Sequence, residues 1–281
     1  QIHKQGGTAE YVSILEVGDD ALLARVHLIR SATKSIDLQT FIWKDDPTSR
    51  FLFDELVKAA ERGVLVRMLI DALNPPGSPE QLARMARAHR NMEIVLYKPL
   101  SDSVEVGTIG FWDNVIFKTK RMNRRMHNKL LLVDGCIGIS GGRNYGGRYY
   151  DRDTSLLFRD RDVIVAGPAV MDMQDSFELF WQDKNAVFLT QLKDVQSAFG
   201  RLSNGDELFA DPKKDWMFQE IDVLADEYDL SAVRDSIRIY EADDVQFISD
   251  TPRKFHGRGE HMDFDDWFET VLAGATNRVV Y

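Results

Sequence analysis

Cysteine is almost absent. Cys136 is the only one in 281 residues, so no disulfide can form within the chain. Its apolar flanks predict a small core residue rather than a reactive thiol. Long apolar runs are missing too, and none approaches the roughly 20 residues needed to span a bilayer. No signal peptide is visible at the N-terminus. The chain starts at Gln1 rather than Met, which leaves room for upstream residues, a signal or an anchor among them. Positive charge is short: 35 Lys and Arg face 45 Asp and Glu, a net charge of −10. That argues against broad nucleic-acid binding, which draws on a positive surface, though a local basic site remains open.

The composition present is that of a globular protein. Hydrophobic residues are 44% and charged residues 28%, enough at this length for a sizeable core in one large or two medium domains. Leu22, Val26 and Ile29 repeat at helical spacing behind Asp19 and Asp20, predicting a helix over 19–31. Strand patterns follow at 35–43, 64–72 and 93–97, alternating with helices at 51–62 and 79–90. KLLLVD and CIGIS predict two short strands meeting at Gly135, and another strand lies within 155–167. Pro168 opens a helix with Val170, Met173, Phe177, Phe180 and Trp181 on its apolar side. The alternation predicts an α/β fold, a mixed and mostly parallel sheet flanked by helices. A first lobe is expected over 1–185. Residues 186–244 turn acidic and helical in pattern and are expected to form a connector or cap. VQFISD at 245–250 predicts a strand, and 275–281 (ATNRVVY) echoes 32–38 (ATKSIDL). Residues 245–281 are therefore expected to begin a second, incomplete lobe like the first.

The stretch that carries chemistry is MHNKLLLVDGCIGISGGRN, 126–144. It sets His127, Lys129 and Asp134 in the spacing H-x-K-x4-D, followed by Gly141, Gly142 and Asn144. Cleaving a phosphodiester requires neutralising its charge, supplying a nucleophile and protonating the leaving oxygen. Neutral imidazole suits the nucleophile near pH 7. On a strand, His127 and Lys129 would share one face and converge on one phosphate. Lys129 offers a point charge and Asn144 an amide donor. Gly141 and Gly142 let backbone approach closely. Asp134, seven residues from His127, falls on the opposite face and takes a support role, bonding strand-end backbone or a polar neighbour. The inner nitrogen of the nucleophile needs a carboxylate, for which Asp160 and Asp162 are candidates. Lys118, Lys120, Arg121, Arg124, Arg125 and Lys129 crowd residues 115–133 without an acid among them, a local reversal of the overall charge. Such a run suits anionic headgroups or a membrane surface.

These residues resemble the HKD signature of the phospholipase D superfamily. SIDLQTFIW, RGVLVRMLIDA, RRMHNK, SGGRN and DRDVIVAGP are similar to the bacterial cardiolipin synthase branch, particularly its type C enzymes. The resemblance covers residues 10–185 well and 245–281 loosely. It implies two similar lobes sharing one site, each giving one HKD motif. The first histidine attacks phosphorus to form a phosphohistidine, and the second protonates the leaving alcohol. Neither a metal nor another cofactor is implied. His127 would be the nucleophile, Lys129 and Asn144 would bind phosphate, and Asp160 would orient His127. Arg124 and Arg125, with Gly141 and Gly142, would complete the substrate-binding set, and Asp134 belongs to the catalytic motif.

The second motif is missing. His3, His27, His89, His256 and His261 are none of them followed by Lys two residues on. The chain is thus expected to hold the nucleophile without its acid, and to need a second HKD lobe or a second copy for activity. The leading expectation is phosphatidyl transfer on anionic phospholipid such as phosphatidylglycerol, at a bacterial membrane or its periplasmic face. A phospholipase D-like hydrolase differs only in the acceptor. A dimeric nuclease fits the acidic balance less well, so no nucleic acid is expected. A fourth possibility is a lobe that binds phosphate or anionic lipid without turnover.

Overall fold

The computed structural model describes residues 9–105, 125–153, 155–203, 215–252 and 264–274. Its strands are β1 (Glu10–Leu15), β2 (Ser35–Thr40), β3 (Leu65–Asp71), β4 (Met92–Tyr97), β5 (Leu130–Val133), β6 (Ile137–Gly141), β7 (Asp162–Ala166), β8 (Ala186–Phe188) and β9 (Ile239–Ala242). They form one sheet in the order β8-β4-β3-β2-β5-β6-β7-β1-β9. Helices α1 (Gly18–Ser31), α2 (Pro47–Glu61), α3 (Pro79–Arg87), α4 (Ala169–Trp181), α5 (Lys193–Phe199), α6 (Trp216–Glu227), α7 (Leu230–Ser236) and α8 (Phe264–Gly274) accompany it.

The mixed α/β sheet flanked by helices is the expected one, but it is not mostly parallel. Only β2–β3 and β3–β4 run parallel, and the other pairings are antiparallel. The reason lies in the connections. Helices α2 and α3 cross between β2, β3 and β4, as parallel neighbours require. Beyond β4 the strands turn back on themselves. Asp134, Gly135 and Cys136 turn the chain between the paired ends Val133 and Ile137 of β5 and β6; Asp134 (φ 54°) and Gly135 (φ 63°) are left-handed, and Cys136 N donates to Val133 O at 3.0 Å. Cys136 is half-buried rather than in the core.

Helix α2 begins before residue 51 because Pro47 fixes its first turn and Asp46 accepts from Ser49 N. On α4, Val170, Met173, Phe177 and Phe180 are buried as the apolar spacing predicts. Residues 186–244, expected to form a connector or cap, add two strands to the same sheet where they are described. They supply β8, on β4, and β9, on β1. Phe218 of α6 meets Phe51 edge-on at 5.0 Å inside the core. Arg30 ties Glu55 of α2 to Asp222 and Asp226 of α6. VQFISD is not a strand; it runs without regular structure while Val245 and Phe247 pack against the α4 side of the sheet. The echo at 275–281 lies outside the described residues.

The register has one consequence for function. β2 is antiparallel to β5, so the C-terminal ends of β2, β3 and β4 lie at the end where β5 starts. The finish of β6 and the start of β7 lie there as well.

Candidate active site

In sheets with parallel strands, ligands bind outside the carboxyl ends of those strands. His127 and Lys129 sit at that end, in extended chain just before β5 rather than on it. The segment is clamped from below. Asp71, the buried last residue of β3, accepts from Met126 N at 3.1 Å, Leu73 N at 2.9 Å and Arg125 Nε at 2.8 Å. Arg125 also donates to Lys98 O at 3.0 Å. Arg125, expected to bind substrate, is thus consumed in a buried ion pair that fixes the chain next to His127. Arg124 lies outside the described residues, as do Lys118, Lys120 and Arg121. With Met126 fully buried, the next side chain, His127, turns outward and is exposed.

Lys129 bends back over the histidine. Its Nζ donates to His127 O at 2.6 Å and lies 3.1 Å from His127 Nδ1. Phe41, one residue beyond β2, covers both groups: its ring is 4.6 Å from the imidazole and 5.7 Å from Lys129 Nζ. Burial pushes Lys129 down to about 8, against the pull of Asp160, Asp162 and Asp71. Desolvation, then the Lys129 charge, lowers His127 below the ordinary imidazole value, against the pull of Asp250. Both effects favour the neutral imidazole. A cleft of about 340 Å³ opens here, lined by His127, Lys129, Ser140 and Gly141 on one side and by 247–250 on the other. Asn128 Nδ2 donates to Asp250 O at 3.3 Å, tethering that second wall.

The orienting carboxylate is not where expected. Nδ1 of His127 meets Lys129, and no hydrogen bond links it to Asp160. Asp160 instead lies against Gly142 and acts on Lys129 electrostatically. Asp162 is out of play: fully buried, it pairs with Arg25 at 2.8 Å and Arg143 at 3.3 Å. The glycines serve these carboxylates. A Cβ on Gly141 would fall 2.1 Å from Asp162 Oδ1, and one on Gly142 would fall 2.4 Å from Asp160 Oδ1. Both have ordinary φ values, so close approach, not a special backbone shape, demands glycine. Asn144 is buried and turned inward. Its Oδ1 accepts from Ile42 N at 2.9 Å and its Nδ2 donates to the Tyr149 hydroxyl at 3.1 Å. It braces the loop after β2 that carries Phe41.

Asp134 stands at the opposite end of β5. It accepts from Thr33 N and Oγ1, Lys34 N and Ser35 N at 2.7–3.0 Å. The support role expected of it is the one it has, and it is not part of the cleft. Burial works to raise its pKa, but these hydrogen bonds outweigh that and hold it below the usual carboxylate range. Among the described residues, no group of three or more His, Cys, Asp or Glu is placed to hold a metal ion. Phe41, Asp71 and Asp250 went unnoticed in the sequence. Asp71 had one available signal, as a carboxylate ending an otherwise aliphatic strand.

Comparison with known proteins identifies the family of the chain. A family model described as "Cardiolipin synthase, PLD-like domain" matches residues 26–181. Cardiolipin synthase C of Escherichia coli (strain K12) is 38% identical over 203 residues, 72% of this chain and 41% of that protein. A probable cardiolipin synthase of Bacillus subtilis (strain 168) is 28% identical over 182 residues, 64% of this chain and 33% of that protein. The chain spans less than half the length of these relatives. The structure of phosphatidylserine synthase from Haemophilus influenzae Rd KW20 aligns with a TM-score of 0.50 at 15% identity, covering 68% of this chain and 42% of that one; at that identity it bears on the fold alone. With the model spanning more than half of its length, the chain belongs to the family of cardiolipin synthase, PLD-like domains.

Proposed function

We propose that this chain supplies the nucleophilic half of a phosphatidyl-transfer site acting on anionic phospholipid, with His127 as the attacking group. The observation that carries this reading is the pairing at the cleft: an exposed imidazole touched by a buried lysine, with burial displacing both toward their neutral forms. Relatives named as cardiolipin synthases make phospholipid the favoured substrate class.

The Lys129–His127 contact has a chemical consequence. A charged Lys129 donating to Nδ1 leaves the ring proton on Nε2, which cannot then attack. A phosphate entering the cleft competes for the ammonium. As Lys129 swings to the phosphate oxygens, the ring proton can move to Nδ1, and Nε2 gains its lone pair. Nε2 then bonds to phosphorus, the P–O bond to the leaving alcohol breaks, and that oxygen takes a proton. An acceptor hydroxyl repeats the displacement, giving its proton to the group that protonated the leaving oxygen, forming a P–O bond, breaking the P–N bond and releasing His127. With an alcohol acceptor the outcome is transfer, and with water it is hydrolysis. The leaving oxygen's proton is expected from the second HKD motif that the family resemblance implies.

A substrate with a p-nitrophenolate leaving group tests the first displacement alone, because that group departs without an acid. Phosphatidyl-p-nitrophenol should give one equivalent of p-nitrophenolate and a base-stable, acid-labile phosphoryl group on the protein. His127→Ala should give neither. Equal labelling in both would rule out His127 as the nucleophile. In the presence of a second HKD lobe, phosphatidylglycerol should yield cardiolipin and glycerol; phosphatidic acid instead would favour the hydrolase.

A further inference from the structure

Beside the cleft, between the turn at Gly147–Tyr149 and β7, the chain displays three consecutive large apolar side chains. Leu156, Leu157 and Phe158 are 47%, 43% and 39% exposed, the only such run of three among the described residues. Exposed apolar clusters of this kind mark interaction surfaces. This one is held in place rather than frayed. Phe158 N donates to Arg148 O at 2.8 Å, and the Phe158 ring stacks on Tyr149 at 4.9 Å. Ser155 is fixed through its N and Oγ to Asp153. The loop is also wired to the site. Tyr149 takes the hydrogen bond from Asn144, which in turn holds Ile42 beside Phe41. Two residues past Phe158, Asp160 lies against Gly142.

Charge around the loop is mixed, but the acids there are engaged: Asp153 pairs with Arg148, Asp45 with Arg50, and Asp46 accepts from Ser49 N and Gly147 N. Arg159 and Lys44 are exposed and have no ion-pair partner among the described residues. Lys44 and Arg148, with Asp45, Asp46 and Asp153, line a hollow of about 350 Å³ beside Phe158. In a protein of net charge −10, cations flanking an apolar tip match a surface that is apolar within and anionic outside.

We propose that the loop 155–159 is a membrane-docking element that seats the His127 cleft on an anionic phospholipid surface. Leu156, Leu157 and Phe158 enter the boundary between headgroups and acyl chains, while Lys44 and Arg159 meet lipid phosphates. This deepens the functional reading above, resting on it for the choice of a lipid surface as the partner. A phosphodiester in the outer headgroup layer is thereby brought to the cleft without the lipid leaving the bilayer.

Sedimentation with vesicles tests it. The probes are vesicles of equal parts phosphatidylglycerol and phosphatidylcholine, and vesicles of phosphatidylcholine alone. The protein should partition onto the anionic vesicles and be weakened by salt. The double variant Leu156→Ser, Leu157→Ser should lose about tenfold in partitioning, as expected for two part-buried leucines, with an unchanged unfolding midpoint because both are exposed. Lys44→Gln with Arg159→Gln should weaken binding to anionic vesicles only. His127→Ala should bind as the unaltered protein does, so failed chemistry does not mask docking. Labelling from a water-soluble p-nitrophenyl phosphodiester should survive in the leucine variant, so failed docking does not mask chemistry. Absence of partitioning onto anionic vesicles would overturn the proposal. So would partitioning that the leucine changes leave within twofold, or a lipid-free dimer that the same changes dissociate.

Discussion

At the start of β5 the chain leaves His127 exposed and Lys129 buried against it, with both groups displaced toward their neutral forms. Five residues beyond Lys129, where β5 ends, Asp134 accepts from four donors on Thr33, Lys34 and Ser35 and is displaced toward its charged form. All three residues belong to one signature. The difference teaches how such a signature divides its labour. One end keeps groups whose hydrogen-bonding capacity is left for a ligand, at the carboxyl edge of the parallel strands. The other end uses up its carboxylate on backbone and locks the hairpin in register with β2.

Substitutions at the two ends should therefore have different consequences. The largest effect is expected at the open end: His127→Ala should abolish covalent labelling while shifting stability by less than about 0.5 kcal/mol, as for an exposed side chain. Asp71→Ala should be the most destabilising change, by about 3–5 kcal/mol in denaturant unfolding, because it leaves Arg125 charged and buried without its partner. Gly141→Ala comes next, by about 1–3 kcal/mol, since its Cβ must displace Asp162 and the backbone of Arg161. Asp134→Ala should cost a similar or smaller amount, about 1–3 kcal/mol for stranded N–H groups, yet leave labelling intact. A loss of labelling at unchanged stability would end the division proposed here.

Acidity separates the two ends as well. Asp134 has its folded pKa below its ordinary value near 3.8. Its contribution to stability is therefore present above that value and lost as pH falls through the folded one. Asp134→Ala should lack this acid limb of the stability curve. At the other end, labelling should fall as pH rises through about 8, where Lys129 loses its proton, and again in acid, where His127 gains one. Label yield against pH would contradict this if it rose steadily into alkali.

Much of this was legible in the chain. Helices α1 and α4 follow from apolar spacing, and the β5–β6 hairpin from apolar runs flanking Asp134-Gly135. The pairing of His127 with Lys129 follows from the motif. What escaped was set by distant partners. Arg125 looks like a ligand for anions because local sequence does not reveal Asp71, 54 residues away, beneath it. Asn144 looks like a phosphate donor until Tyr149 and Ile42 claim it. Strands β1, β8 and β9 are short or lie near the sheet margins, where pairing rather than pattern makes the strand. The mostly parallel sheet failed for the same reason: alternating helices end at β4, and hairpins take over.

The central claim is that the two ends of β5 differ in what they keep free. Titrating the protein with inorganic phosphate while following its imidazole and amide nitrogens by NMR tests it most directly. The account predicts that His127 shifts from the Nε2–H to the Nδ1–H tautomer as phosphate draws Lys129 away, while the amides of Thr33, Lys34 and Ser35 stay still. An unmoved His127 ring, or phosphate-dependent shifts centred on Thr33–Ser35, would contradict it.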